Sequence, residues 1–165
     1  MQVNVRPFQP SDNLDVATIE GEEWSSKQYW RDVAPGEEYV DILDIGRGRE
    51  FLVAELEGEV VGYLLGLEVN RDKHPFPSDD EFHRQEIGKS LYIDELEVGP
   101  EARYQRVAEA LLEELVKRTG DYDSIVVRTD PKAKKDMGLY LRHGFQDLKV
   151  SDSDNPERTY LIRRL

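Results

Sequence analysis

Residues 91–112 read LYIDELEVGPEARYQRVAEALL, and this stretch decides how the rest of the chain can fold. Leu91, Ile93, Leu96 and Val98 give residues 91–98 the composition of a buried strand, and Gly99-Pro100 ends the run. Ala108, Leu111, Leu112, Leu115 and Val116 then recur at i, i+3, i+4, i+7 and i+8, which predicts a helix with Lys117 and Arg118 in its last turn and Gly120 beyond. A strand that passes into a helix through so short a polar turn leaves the first helical N–H groups without intrahelical acceptors, near the carboxyl end of the strand. Such a place suits an anion, because the amides and the helix dipole attract it, and Arg103 and Arg106 stand beside them. Within the strand the apolar phase slips by one between Asp94 and Glu95. A β-bulge would produce the slip, and so would a strand buried on both faces, where phase carries no information.

Moving upstream, residues 51–56 and 60–69 are apolar, β-branched runs separated by Glu57-Gly58-Glu59, which predicts a β-hairpin. Residues 2–8 alternate through Val3 and Val5 to Pro7, as in a first or edge strand. Ser11 reads as the N-cap of a helix carrying Leu14, Ala17 and Ile19 and stopping at Gly21; Ser25 and Gln28 have the spacing of a second helix start. Tyr39, Ile42 and Leu43 fit one more turn of helix, and the polar stretch 70–89 is long for a plain connection. Downstream, residues 124–129 form a short apolar strand, with Asp130 as N-cap and Pro131 at the first position of a helix that buries Ala133, Met137, Tyr140 and Leu141 and stops at Gly144. Residues 146–150 and 159–164 pair as a closing hairpin across SDSDNPE. Strand-helix-strand units need crossovers, so the order predicts an α/β (α+β) fold, a mixed sheet of about six to seven strands, parallel at its centre, flanked by helices. Neither a repeat nor a linker divides the chain, and residues 1–165 are expected to form a single domain.

The chain has 165 residues, no cysteine and a formal net charge of −13. Lack of cysteine excludes a disulfide scaffold, a thiolate metal site and a cysteine nucleophile. The charge disfavours nucleic acid and anionic membranes as partners and favours cations, unless the excess acid only solvates the surface. The amino terminus has no secretory leader and no apolar run approaches 18 residues, which leads to the expectation of a soluble cytoplasmic protein. Several motifs fail on inspection. Gly88-Lys89-Ser90 lacks the upstream glycine of a phosphate loop and runs into a strand. Asp152-Ser153-Asp154 starts like a calcium loop, but Glu157 and Arg163 occupy its glycine and bidentate glutamate positions. His74, His83 and His143 have no metal-ligand spacing, and no metal is expected.

The segment VGPEARYQRVAEALL resembles the acetyl-CoA segment of the GNAT acetyltransferases, whose pattern is V-x-P-x-x-R-x-x-G-x-G/A before a leucine-rich helix. Val98, Pro100, Arg103 and Ala108 match it, and Leu139-Tyr140 followed by Gly144-Phe145 matches the second signature, L-Y-x-x-x-G-F. The order of elements is similar over essentially the whole chain. There are departures: Arg106 stands at the usual glycine, Tyr104 and Gln105 replace a common glycine-arginine pair, and Ala133 and Asp136 differ from the usual last helix. The resemblance implies a GNAT-type sheet in which a bulge splays one strand from its neighbour, so that acetyl-CoA, the co-substrate, enters the resulting cleft.

It further implies cofactor-binding roles for Leu96, Val98, Arg103, Gln105, Arg106, Val107 and Ala108, a general base near Asp94, and a general acid at Tyr140. Glu95 and Glu97 are alternatives to Asp94, and Tyr140 equally suits a core position on the helix stripe. The expected reaction is transfer of an acetyl group from acetyl-CoA to a primary amine of a small molecule or peptide, preferentially a cationic one. A GNAT module that binds acyl-CoA without catalysis, as a sensor or interaction domain, is the rival that Arg106 motivates. A structural domain whose acidic face binds a basic protein is a third reading. The acceptor pocket carries no legible motif, and a homodimer stays open.

Overall fold

The computed structural model describes residues 2–24, 50–69, 80–103, 106–153 and 155–165, with the side chains of 22–24 and 80 left aside. The expected helix at Ser25–Gln28, the turn around Tyr39–Leu43 and most of the 70–89 connection lie outside the described residues. Among the described residues there are seven strands: β1 (Asn4–Pro7), β2 (Glu50–Leu56), β3 (Glu59–Glu68), β4 (Ser90–Val98), β5 (Ser124–Thr129), β6 (Gln146–Ser151) and β7 (Thr159–Arg164). They make one mixed sheet in the order β1-β2-β3-β4-β5-β7-β6. The β4–β5 pair is parallel, whereas β1–β2, β5–β7 and β6–β7 are antiparallel. The described helices are α1 (Asn13–Trp24), α2 (Asp80–His83), α3 (Val107–Arg118) and α4 (Lys134–Arg142). Among the described residues no helix is long and apolar enough to cross a membrane.

The chain divides into two compact units, Met1–Leu65 with Glu95–Leu115, and Gly66–Asp94 with Val116–Leu165. In the first, Glu57 and Gly58 both have positive φ (54° and 87°), the conformation of a type I′ turn, which matches the twist of the β2–β3 hairpin it joins. Phe8 stacks on Phe51 at 4.1 Å between ring centroids. Arg6 ties β1 to its surroundings: its Nε donates to Glu55 (2.7 Å), and its two terminal nitrogens donate to the two oxygens of Asp12 (2.7 and 2.8 Å). Asp12, almost wholly buried, closes a 3₁₀ turn at Pro10–Asp12 by also accepting from the Gln9 amide. This turn precedes α1, so the helix begins one residue later than the expected Ser11 cap allows, and it runs through Gly21 to Trp24 rather than stopping there. Val16, Ala17 and Ile19 are buried, and that inward packing outweighs the glycine's poor helix propensity of about 1 kcal/mol.

In the second unit, the start of the parallel pair is pinned. The buried hydroxyls of Ser90 and Ser124 lie 2.7 Å apart, and Ser124 also donates to the Ile87 carbonyl. Gly88 has φ +65°, and a Cβ there would collide with the Asp123 carboxylate that accepts from the Lys89 amide. Phe82 of α2 is fully buried and stacks on Tyr160 at 4.5 Å, so part of the long polar connection carries a core anchor. Ile87, Tyr92, Val126, Val150, Tyr160 and Ile162 complete that cluster. The last helix starts at Lys134, later than expected, because Asp130–Lys132 form a turn of their own: the Asp130 side chain accepts from the Lys132 amide and its carbonyl from Ala133. Gly144, at φ +83°, follows its end as the sequence leads one to expect.

Hydrogen bonds from Arg6 hold the Asp12 and Glu55 carboxyls below their ordinary range. Their contribution to stability is therefore complete above the unfolded carboxylate value of about 4 and disappears as pH falls through the lower folded values. Asp12→Asn should cost about 2 kcal/mol at neutral pH, the scale of charge-assisted bonds lost from a buried site. In urea titrations at several pH values, the gap between wild type and variant should narrow steadily below about pH 4.

Candidate functional site

β4 carries one residue more than its antiparallel neighbour. The Val69 amide donates to Ser90 O (2.9 Å) and the Gly99 amide to Val61 O (2.8 Å). Val69 lies eight positions after Val61, but Gly99 lies nine after Ser90, so a single residue on β4 is left over, the count of a β-bulge. Side-chain facing says the same. A Cβ on Gly62 would meet Val98, and one on Gly66 would meet Leu91. Gly62 and Gly66 share a face, whereas Leu91 and Val98 are an odd number of residues apart and meet that face only after a phase slip. Of the two explanations for the broken alternation, the bulge is the one present.

On its other side β4 leaves β5 early. The ladder has the rungs Ser90↔Ser124, Leu91↔Ile125 and Tyr92↔Val126, and then ends, although β4 continues to Val98 and β5 to Thr129. The last rung is thus Tyr92↔Val126, short of the end of either strand.

The first unit holds the strand-to-helix turn. Leu96 and Val98 are half-buried, Gly99 is buried, and a 3₁₀ turn at Pro100–Ala102 leads to the exposed Arg103. Gln105, one of the expected cofactor contacts, lies outside the described residues. Ala110 donates the first helical bond to Arg106 O, so the amides of Val107 and Ala108 precede the hydrogen-bonded part of α3. Val107 is buried with Leu111, Leu112 and Leu115, and this fixes the helix while its amino end stays at the turn. Arg106 has φ +59°, the left-handed conformation that favours glycine. The residue that departs from the family pattern thus follows the backbone path a glycine would take. Its side chain is 83% exposed and pairs with Glu109 at 2.5 Å. These features fit a pyrophosphate at the start of α3: an amide-bearing helix end, a backbone path kept open, and two exposed arginines.

Of the three acids on β4, Asp94 is exposed, and Glu95 and Glu97 are half-buried. Glu95 accepts a 2.5 Å bond from the hydroxyl of Tyr63, which is fully buried on β3. Sequence reading missed that partner; the available signal was a tyrosine at a core position, whose hydroxyl must find an acceptor. Tyr140 in the second unit is buried on α4 and packs edge-on against Phe145 at 5.3 Å. Gly62 was missed as well. It brings β3 against the Glu97 carbonyl and Val107, where a Cβ would sit 3.0 and 2.9 Å away.

The family model described as "Acetyltransferase (GNAT) family" matches residues 15–145. Among solved structures, Ard1 from Thermoplasma volcanium superposes with a TM-score of 0.71 at 18% identity, covering 100% of this chain and 99% of that one. The ribosomal-protein-alanine N-acetyltransferase of Brucella melitensis gives 0.72 at 18% identity, over 98% and 99%. YncA of Salmonella typhimurium, solved with its cofactor acetyl-CoA, gives 0.72 at 16% identity, over 100% and 95%. No curated protein matches the chain by sequence.

Gly62→Ala should push β3 off β4 at the point where Val107 opens α3, at a cost of roughly 1–3 kcal/mol, as for other overpacked sites. Differential scanning calorimetry should find a Tm lower by several degrees, and an unchanged Tm would show that this approach yields without strain.

Proposed function

The chain belongs to the GNAT acetyltransferase family, whose cofactor is acetyl-CoA, and from that premise we propose that it transfers an acetyl group to a primary amine of a small molecule or peptide, residues 1–165 acting as one catalytic domain. The observation that carries this reading is the early end of the β4–β5 ladder after Tyr92. When bound, acetyl-CoA supplies the activated acyl group as a thioester.

The roles of this chain's residues follow from the chemistry. Amides of Val107 and Ala108, with Arg103 and Arg106, bind the pyrophosphate. Backbone groups at Leu96 and Val98 hold the extended arm, and donors there face the developing oxyanion. An incoming ammonium, with an ordinary pKa of about 10.4, must lose a proton before it can attack. Asp94, exposed on β4 beyond the last rung, accepts that proton directly or through water, while Glu95, already bonded to Tyr63, orients the cation. The hydroxyl of Tyr140 would give its proton to the departing sulfur, and the second proton, which the nitrogen sheds on becoming an amide, would restore the phenol. Three carboxylates along DELE favour a cationic acceptor over a neutral or anionic one. The glycine-like backbone of Arg106 supports cofactor binding under this reading and its non-catalytic rival alike; the acids on β4 and the tyrosine on α4 are what favour catalysis.

Acetyl-CoA should raise the unfolding temperature of the wild type, and Arg103→Ala should reduce that rise at moderate salt. Tyr140→Phe, which preserves packing, should lower kcat by roughly 10- to 1,000-fold with cofactor affinity intact. Thiol release measured with polyamines, aminoglycosides and peptides should be fastest on cationic acceptors, and Asp94→Asn should lose most of that rate. A best acceptor that is neutral or anionic, or normal turnover by Asp94→Asn between about pH 6 and 9, would overturn the assignment of the base.

A further inference from the structure

The amino end of α3 already holds an anion of its own. Glu109 stands in the first turn of that helix, and its side chain is only 20% exposed. Nε of Arg106 donates to Oε2 of this carboxylate at 2.5 Å, while the rest of the arginine side chain lies open to water. The pair therefore sits beside the amides of Val107 and Ala108, the groups that precede the hydrogen-bonded part of the helix. Glu113, one turn further on, is exposed and acts on Arg106 only through its field, more weakly than Glu109 does.

Folding gives little reason for this arrangement. Arginine at φ +59° bears a conformational cost that glycine would not. The i,i+3 ion pair returns little of it, because solvent and salt screen a pair with one partner so exposed. Side chains held at such backbone angles cluster at active sites and ligand clamps. Toward a ligand the carboxylate has a definite effect. A helix terminus attracts anions, and Glu109 satisfies part of that attraction before any phosphate arrives. An incoming phosphate meets a repelling charge and an arginine already engaged. Because the pair is weak, it can be exchanged: a guanidinium carries five N–H donors in a planar fork and grips phosphate oxygens by two parallel bonds, with charge assistance.

We propose that Glu109 sets the affinity for the acetyl donor, as an internal counter-ion that holds Arg106 in the free protein and yields it to the pyrophosphate, so that acetyl-CoA binds less tightly, and spent CoA leaves sooner, than the helix end alone would dictate. Glu109 acts through Arg106 and does not touch the reacting atoms. The proposal rests on the reading above, in which the pyrophosphate lies at the start of α3.

Glu109→Gln keeps the shape of the side chain and removes its charge. Calorimetric titration with acetyl-CoA at low salt should give a Kd roughly two- to fivefold lower than wild type, the weight of one exposed ion pair, and the advantage should shrink as sodium chloride is raised. Loss of an acid from a helix start should leave the Tm unchanged or slightly lower, so tighter binding cannot come from a firmer fold. Glu113→Gln makes the same change in net charge one turn away and should move the Kd far less. The gain from Glu109→Gln should persist with acetyl-dephospho-CoA, which keeps the pyrophosphate and lacks the 3′-phosphate. Equal or weaker binding by Glu109→Gln, an equal gain from Glu113→Gln, or a gain confined to the ligand with the 3′-phosphate overturns the proposal and leaves donor binding itself intact. If the wild type binds no acetyl-CoA, the donor-binding reading fails first, and the proposal with it.

Discussion

Everything else in the fold answers to the surplus residue in β4. A strand hydrogen-bonded regularly on both sides has no peptide group to offer a ligand. By spending one residue on a bulge, β4 changes facing along its length, keeping Leu91 and Val98 on the same side of the sheet although strict alternation forbids it. Its beginning is clamped to β5 by the Ser90–Ser124 contact and by the Gly88–Asp123 packing. Its end is clamped to β3 by the Gly99–Val61 bond and the close approach at Gly62.

Much of this was legible in residues 91–112 because the signals are local. The apolar period of α3 and the phase slip at Asp94–Glu95 both depend on near neighbours in sequence, and the slip turned out to mark a real bulge. Errors came where a local signal had two outlets. Asp130 and Pro131 look like a helix start, but the Asp130 carboxylate capped a turn first, and α4 began at Lys134. Gly21 reads as a stop, but three buried side chains carried α1 past it. Contacts between distant segments left little trace: a core tyrosine announces that Tyr63 needs an acceptor, but that the acceptor is Glu95, or that Arg128 meets Asp152, can be found only once strands have been laid side by side.

Charge is distributed in two ways that the net value of −13 conceals. Where ionised groups leave water, arginine is the cation: Arg6 between Asp12 and Glu55 in one unit, Arg128 and Arg158 around Asp152 in the other. A guanidinium is more weakly hydrated than an ammonium and can bond two partners in fixed directions, so its burial is the less costly and the more specific. The lysines that are described tend to be at the surface, as Lys132 and Lys149 are, each about four-fifths exposed. On β4 the DELE run sets three acids in one strand, Asp94 exposed and Glu95 and Glu97 half-buried.

Arg106 joins these themes. A side chain in place of glycine at a helix start that must accept phosphates invites the conclusion that binding is lost. Steric loss, however, requires either that the backbone be diverted or that the side chain occupy the space in front of the amides. The backbone is not diverted, since φ stays at +59°. The side chain runs instead along α3 to Glu109, and that bond raises the guanidinium pKa. An arginine held in this way adds positive charge beside the helix terminus, where the dipole already favours an anion. The departure from the family pattern is therefore compatible with cofactor binding, and the ion pair with Glu109 is the contact that an arriving phosphate would have to compete for.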